Sequence, residues 1–338
     1  MAYAKRKRTS KPKTDVVAEV TGKLVEQIEA GNPPPWRCAH AMDRRLELPV
    51  NTWSGRPYSG GNIMLLWVQG FLRGFSSHLW VTYDQAQWLG GQVPKHAKGV
   101  KIRVFRRGDD ERLPVNGGRS ARAGQEGDKK GGYRGGYAGF KTVFNAEQCG
   151  IKLPPVEKPD SKEFAGVEGW EMVEMMAIAE GLSANTGLTI AHGMPGCASY
   201  HRPTDRLSMP SWEAFRDAKG ANVTFAHELV HATGRKDRLG RHAAVSKLYE
   251  SPRSQYAFEE LVAEMSAAMI CAALGLSGYD GDGSADYCCG YLGALKEEPG
   301  FLMEAGVHAG KAMSYLLDFL ESDESTSSSE GEASEDVA

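Results

Sequence analysis

The 338-residue sequence lacks long apolar runs and contains few cysteines. No stretch approaches the roughly 18 apolar residues of a membrane-spanning helix, so no membrane partner is expected. The six cysteines form no C-x-x-C pair, which argues against a disulfide framework or a cysteine-rich zinc site. The basic start has no apolar core after it and therefore does not resemble a signal peptide. Together these absences predict a cytoplasmic protein with reduced thiols.

Acidic residues are scarce in the first half of the chain. Residues 1–150 hold 25 Lys and Arg against 13 Asp and Glu, a formal charge of +12, whereas the remainder carries −15. Halves of opposite charge indicate different partners, and a basic half favours a polyanion such as nucleic acid. The alternative is a solvated surface whose charge has no partner.

Composition and apolar periodicity divide the chain into two domains of an α+β protein. The first is a small mixed α/β domain that contains a flexible glycine-rich loop, and the second is mainly helical around short strands. The predicted segments are a basic disordered arm at 1–13, the first domain at 14–153 with its loop at 115–139, a linker at 154–165, the second domain at 166–320 and an acidic disordered tail at 321–338.

The stretch NVTFAHELVHATG, residues 222–234, has the spacing of a metal site. On a helix, His227 and His231 stand one turn apart on one face, so both imidazoles can reach one ion. Glu228 lies about 100° around the helix, where it can act as a general base without binding the metal. Gly234 is predicted to close the helix as a left-handed cap. The alternative is a pair of core histidines beside a surface glutamate.

Two histidines need a third protein ligand, with a fourth position left open. The next predicted helix offers Glu260 as that ligand, with Glu259 as the alternative. Glu264, one turn after Glu260, is predicted to orient a ligand histidine as an outer carboxylate. The expected ion is Zn²⁺, with Mn²⁺ as an alternative, and the expected chemistry is hydrolysis of a peptide bond. Candidates for steadying the developing oxyanion are Tyr200, Tyr249 and Tyr256.

Several blocks in a fixed order resemble the antirestriction protein ArdC family. They are "PPPWRCAH", "NTWSGRPYSGGNIMLLW", "LWVTYDQAQWLGGQVPKHAKGVKI", "FKTVFNAEQC", "ASYHRPTDRLSMPSWEAF", "HELVHATGRKDRLGR" and "YAFEELVAEMSAAMICAALGL". The resemblance implies a domain that binds single-stranded DNA, joined to a zincin-like metallopeptidase domain. It also implies a protein of plasmids or phages that shields incoming DNA from restriction. The chain departs from the family at His40 and Ala232, where bulkier aromatic residues are usual.

The resemblance directs attention to aromatic and basic residues of the first half as DNA contacts. Aromatic side chains stack on bases, and cations contact phosphates. Among the aromatic residues, Trp67 lies in an apolar run and is predicted to be core. The predicted DNA contacts are Trp36, Arg37, Arg56, Tyr58, Lys98, Lys101 and Arg103.

Two functions of different classes fit these features. In one, the second domain is a peptidase that cleaves a host protein. In the other, the protein protects DNA by coating it, and the metal centre is structural or inactive. An intact Glu228 favours a peptidase, because a structural site does not need a base.

Overall fold

The computed structural model describes residues 16–37, 46–105, 137–152, 173–215, 218–276 and 285–327. The predicted arm and linker lie outside the described residues, as do most of the predicted loop and residues 328–338 of the tail. Two predicted boundaries are wrong. Residues 137–139, placed in the loop, begin a strand, and residues 321–327, placed in the tail, continue a helix.

The first half forms a five-stranded sheet with three helices. The sheet order is β2-β1-β3-β5-β4, with β1 parallel to β3 and the remaining neighbours antiparallel. The elements are α1 (Val16–Glu29), β1 (Val50–Asn51), β2 (Arg56–Pro57), α2 (Gly61–Arg73), β3 (Leu79–Thr82), α3 (Tyr83–Trp88), β4 (Val100–Phe105) and β5 (Tyr137–Asn145).

The alternation of apolar residues along β3, β4 and β5 determines which helix covers each face of this sheet. One face carries Trp80, Ile102 and Val143, which pack with residues of α2 such as Leu66. The other face packs against α3 through Ala86. Alternate side chains of these strands therefore enter two different apolar layers, one on each face of the sheet.

The second half is a bundle of helices beside a three-stranded sheet of order β6-β8-β7. Helices α5 and α7 lie side by side, as do α7 and α9. The elements are α4 (Val173–Thr186), β6 (Thr189–Ala191), β7 (Ser199–His201), β8 (Arg206–Ser208), α5 (Ala218–Thr233), α6 (Arg241–Leu248), α7 (Pro252–Ala273), α8 (Ala285–Glu297) and α9 (Phe301–Ser327). The prediction of a two-domain α+β protein is confirmed.

The two halves share one hydrophobic core. Leu24 of α1 and Met64 of α2 belong to the same buried cluster as Phe258 of α7 and Leu316 of α9. The start of α2 lies so close to α9 that a Cβ added at Gly310 would be 2.4 Å from the Cα atom of Gly60. In the part of the chain that the structure describes, every helix is too short or too polar to cross a membrane.

Candidate metal centre

Helix α5 presents His227 and His231 because its opposite face is apolar and buried. Phe225, Leu229 and Val230 are fully buried, which fixes the rotation of the helix. The two imidazole side chains are then 15% and 12% exposed. Both rings therefore lie at the boundary between the core and a cleft, where they can be reached by an ion.

His227, His231 and Glu260 bring three ligand atoms together. The two histidine Nε2 atoms are 3.0 Å apart. Glu260 places its Oε2 atom 3.5 Å from Nε2 of His227 and its Oε1 atom 3.6 Å from Nε2 of His231. Ligands held about 2.0–2.1 Å from a tetrahedral ion are separated by about 3.3 Å. The three side chains thus have the chemistry and the spacing of a divalent metal site, and they form such a group among the described residues.

Glu260 is an ionised acceptor in this arrangement. Burial would raise the pKa of its carboxyl, but the hydrogen bond with His227 and the proximity of His231 outweigh burial and lower that pKa. The hydroxyl of Tyr256 also hydrogen-bonds Glu260. Of the three tyrosines considered from the sequence, Tyr256 therefore adjoins a ligand. Tyr200 instead donates to Asp205 over 2.8 Å.

The carboxylate that orients a ligand histidine is Glu259, and the prediction for Glu264 is wrong. Oε1 of Glu259 is 3.2 Å from Nδ1 of His231. An Nδ1–H donated there leaves the Nε2 lone pair directed towards His227 and Glu260. Glu259 was the alternative ligand, but its neighbours on helix α6 commit it to this supporting role.

Glu259 is held as a carboxylate by a buried cation. Arg241, 1% exposed, donates to it from Nε over 2.9 Å and from Nη2 over 2.6 Å. Burial of Glu259 acts to raise its pKa, but Arg241, His231 and His242 outweigh burial and hold the pKa well below its usual range. Gly234 does not have the left-handed backbone conformation that was predicted. A glycine at this position is instead explained by the His242 ring, which leaves no room for a side chain. A Cβ at that position would lie 2.2 Å from Nε2 of His242.

Glu264 lines a cavity together with His227, but its carboxylate is engaged by residues of the first half of the chain and by Tyr291. Its carboxylate accepts hydrogen bonds from Arg37 (Nη2 at 2.8 Å, Nε at 3.3 Å), from Nε1 of Trp36 at 3.3 Å and from the hydroxyl of Tyr291 at 3.2 Å. Trp36 is 1% exposed and Arg37 is 8% exposed. The two residues are therefore not available to stack on bases or to contact phosphates, and their prediction as DNA contacts is wrong.

Two cavities adjoin the ligand histidines. Glu228, 9% exposed, lines a cavity of about 200 Å³ together with His227 and Trp36. His231 and Glu260 line a cleft of about 400 Å³ on the other side. Glu228 thus lies where a molecule near the ligand atoms can contact it.

The remaining predicted DNA contacts differ in accessibility. Tyr58 is half-buried, its hydroxyl accepts a hydrogen bond from Asn51 at 3.1 Å, and burial raises its pKa to about 12. The exposed predicted contacts are Arg56, Lys98, Lys101 and Arg103. Trp67 is buried, as predicted. The structure adds Trp88, which the sequence predictions omit and which is 64% exposed. Its position beside Gly90-Gly91, outside any apolar run, is the signal that could have identified it.

Two family models match the chain. One, described as the N-terminal domain of anti-restriction factor ArdC, matches residues 14–142. The other, described as a zincin-like metallopeptidase, matches residues 177–308. The second match covers α5 and α7, which carry the three ligand side chains.

Curated relatives cover nearly the whole chain. The uncharacterised protein y4eC of Sinorhizobium fredii is 33% identical over 313 residues, which are 91% of this chain and 94% of y4eC. Two DNA primase TraC proteins of Escherichia coli are 32% and 31% identical, again over 91% of this chain. The aligned segment is only 20% and 27% of those primases, so the chain spans about a quarter of their length or less.

Solved structures give the same result for the fold. The crystal structures of the antirestriction ArdC protein from plasmid R388, metal-free and Mn(II)-bound, each have a TM-score of 0.63 and 31% sequence identity to this chain. The alignments cover 91% and 90% of this chain and 98% of the ArdC chain. With both family models and a near-complete structural match in agreement, the chain belongs to the ArdC family of antirestriction proteins.

Proposed function

We propose that this protein binds single-stranded DNA without sequence preference and uses its metal centre as a zinc-dependent peptidase. In this proposal it is carried by a mobile element and protects incoming DNA from host restriction. The observation that carries the enzymatic part is the convergence of His227, His231 and Glu260, with Glu228 beside them in an adjoining cavity.

The residues around the centre have separate tasks in peptide hydrolysis. A divalent ion held by the three ligands would supply Lewis-acid polarisation of the scissile carbonyl. Glu228 accepts a proton from the attacking water and returns it to the leaving amine. Glu259 keeps the His231 ring in place. The hydroxyl of Tyr256 donates to Glu260 and thereby steadies the carboxylate ligand.

The cleft beside the ligands suits an extended peptide. Tyr200, on strand β7, lines the cleft of about 400 Å³ together with His231 and Glu260. In the described sheet, β7 is an edge strand, so its outer backbone groups can pair with an added strand. This geometry supports a protein substrate, such as a host protein that threatens incoming DNA. Metal ligation by Zn²⁺ or Mn²⁺ is compatible with the ligand set, and an R388 ArdC structure contains Mn(II).

The first half supports the DNA-binding part of the proposal by its charge. Described residues 16–37, 46–105 and 137–152 contain ten Lys and Arg but only six Asp and Glu. Phosphate contacts from exposed cations give affinity that decreases as salt concentration rises.

Glu228→Gln separates the enzymatic role from DNA coating. The substitution removes the proton acceptor but leaves the ligands, so metal content and oligonucleotide affinity should be unchanged. Protection of an unmodified plasmid entering a restricting host should be lost, because general base catalysis contributes about 10²–10⁴ in rate. Glu180→Gln, an exposed carboxylate on α4, is the matched control and should protect like the original protein.

The two alternatives give opposite results in this experiment. Undiminished protection by Glu228→Gln would refute the peptidase as the cause of protection and leave DNA coating with a structural metal centre. Metal analysis is the companion measurement. One equivalent of a divalent ion should be present in the original protein and absent from His227→Ala.

A further inference from the structure

Two tryptophans are exposed side by side on the first half of the chain. Trp53 is 51% exposed and Trp88 is 64% exposed. Their ring centroids are 5.1 Å apart, with the ring planes tilted by 55°. Adjacent exposed indoles leave a large apolar area in water, and such a patch is typical of an interaction surface.

Hydrogen bonds of Asn51 join the turn that contains Trp53 to the helix that contains Trp88. Asn51, at the end of β1, accepts from the backbone N–H of Ser54 over 3.1 Å and thereby shapes the turn that carries Trp53. Its Nδ2 atom donates to Oε1 of Gln85 over 3.0 Å, in the helix that ends with Trp88. The pair is therefore presented by a fixed turn and a fixed helix, which lowers the entropic cost of binding a ligand.

The sheet places a third aromatic residue at the same end. Strand β3 stops at Thr82, which pairs with Val143, so β5 continues past β3 towards Phe140. Phe144 packs in the cluster with Ala86 of α3, and Phe140 has the same parity along the strand. Phe140, 63% exposed, consequently lies on the side of the sheet that bears α3 and Trp88.

Cations accompany the aromatic residues on this side. Arg103 is paired across the ladder with Phe140, and Lys101 is two positions earlier on the same face of β4. Both are exposed. The side chain of Asn62 fixes this strand, because it donates to the carbonyl of Arg103 over 2.8 Å and accepts from its N–H over 3.0 Å.

We propose that Trp53, Trp88, Phe140, Lys101 and Arg103, hereafter the stacking surface, bind the bases and phosphates of single-stranded DNA. The aromatic rings stack on unpaired bases, whose flat faces are alike in all four nucleotides, and the two cations contact the backbone. Apolar rings beside cations suit an unpaired strand better than a duplex, whose base faces are covered. This inference rests on the proposed DNA-binding function and assigns it a site that excludes the buried Trp36 and Arg37.

The experiment measures fluorescence anisotropy of a labelled oligothymidylate of about 16 nucleotides with the full chain. Trp53→Ala and Trp88→Ala should each weaken binding about tenfold, and the double variant about a hundredfold. The corresponding Trp→Phe substitutions should retain most of the affinity, because a phenyl ring still stacks. Lys101→Ala with Arg103→Ala should reduce the slope of log K against log salt by about 1.4.

Trp212→Ala is the matched control, because this partly exposed tryptophan lies in the second half of the chain. It should bind the oligonucleotide as the original protein does, and thermal unfolding verifies that each variant is folded. If the original protein binds and the Trp53, Trp88 double variant binds equally well, the stacking surface is refuted while DNA binding stands. If the original protein binds no single strand, or prefers duplex, the proposed DNA-binding function fails together with this inference.

Discussion

Replacing Arg37 with methionine should destabilise the folded protein by about 3–5 kcal/mol, because it leaves the Glu264 carboxylate buried without its cation. Both side chains are almost fully enclosed, at 6% and 7% exposure, and two hydrogen bonds join them. Trp36 and Tyr291 still donate to Glu264 in the variant, so the carboxylate keeps neutral partners but loses its charge partner.

Urea unfolding of the original protein, Arg37→Met, Glu264→Met and the double variant gives a double-mutant cycle. The double variant should recover much of the stability lost in the single variants, because an apolar pair of similar volume leaves no unpaired charge. The folded fraction of Arg37→Met should bind single-stranded DNA with unchanged affinity. A loss below about 1 kcal/mol, additive single effects, or a specific loss of DNA affinity would refute the assignment of Arg37 to the core.

Two further predictions concern the metal centre and the junction of the two halves. Glu259→Gln should weaken metal binding by about 10–100-fold, measured by competition with a chromogenic chelator, because it disturbs the residue that orients His231. Glu180→Gln, an exposed carboxylate on α4, serves as its control and should leave metal affinity unchanged, and equal effects would contradict the role of Glu259. Gly310→Ala should cost about 1–3 kcal/mol in urea unfolding, because its Cβ meets the backbone of Gly60, which immediately precedes α2. Gly293→Ala, where no atom lies within 4 Å, should instead stabilise helix α8 slightly, and similar results at both glycines would exclude the close approach.

The shared core determines which material can test DNA binding by the first half of the chain. Leu24 and Met64 are buried against helices of the second half, so a fragment of residues 1–155 would expose them to water. Full-length variants are therefore the appropriate material for binding measurements.

The candidate metal ligands show where sequence patterns are sufficient to predict a site. The spacing of His227 and His231 is a local property of one helix, and the helical repeat alone places both rings on one face. Glu260 was predicted as the third ligand from the next helix, and the structure brings its carboxylate to the histidines.

The choice between Glu259 and Glu264 shows where such patterns fail. Spacing along the helix favours Glu264, which lies one turn from Glu260 on the same face, whereas Glu259 lies about 100° around the helix. The rotation of α7 against α5 and the arrival of Arg241 from α6 select Glu259. Sequence spacing contains no information on contacts between three separate helices.

By itself, the sequence determined the α+β class, the family and the pair of histidines. Apolar periodicity and motif spacing are sufficient for these features because they depend only on residues that are close together in the chain. Only the tertiary structure decided which aromatic and charged side chains are accessible. The proline-rich sequence around Trp36 and Arg37 suggested a DNA contact. In the structure both side chains are buried and hydrogen-bond Glu264 of α7. Trp53 and Trp88, separated by 35 positions, meet because parallel strands β1 and β3 end at one edge of the sheet.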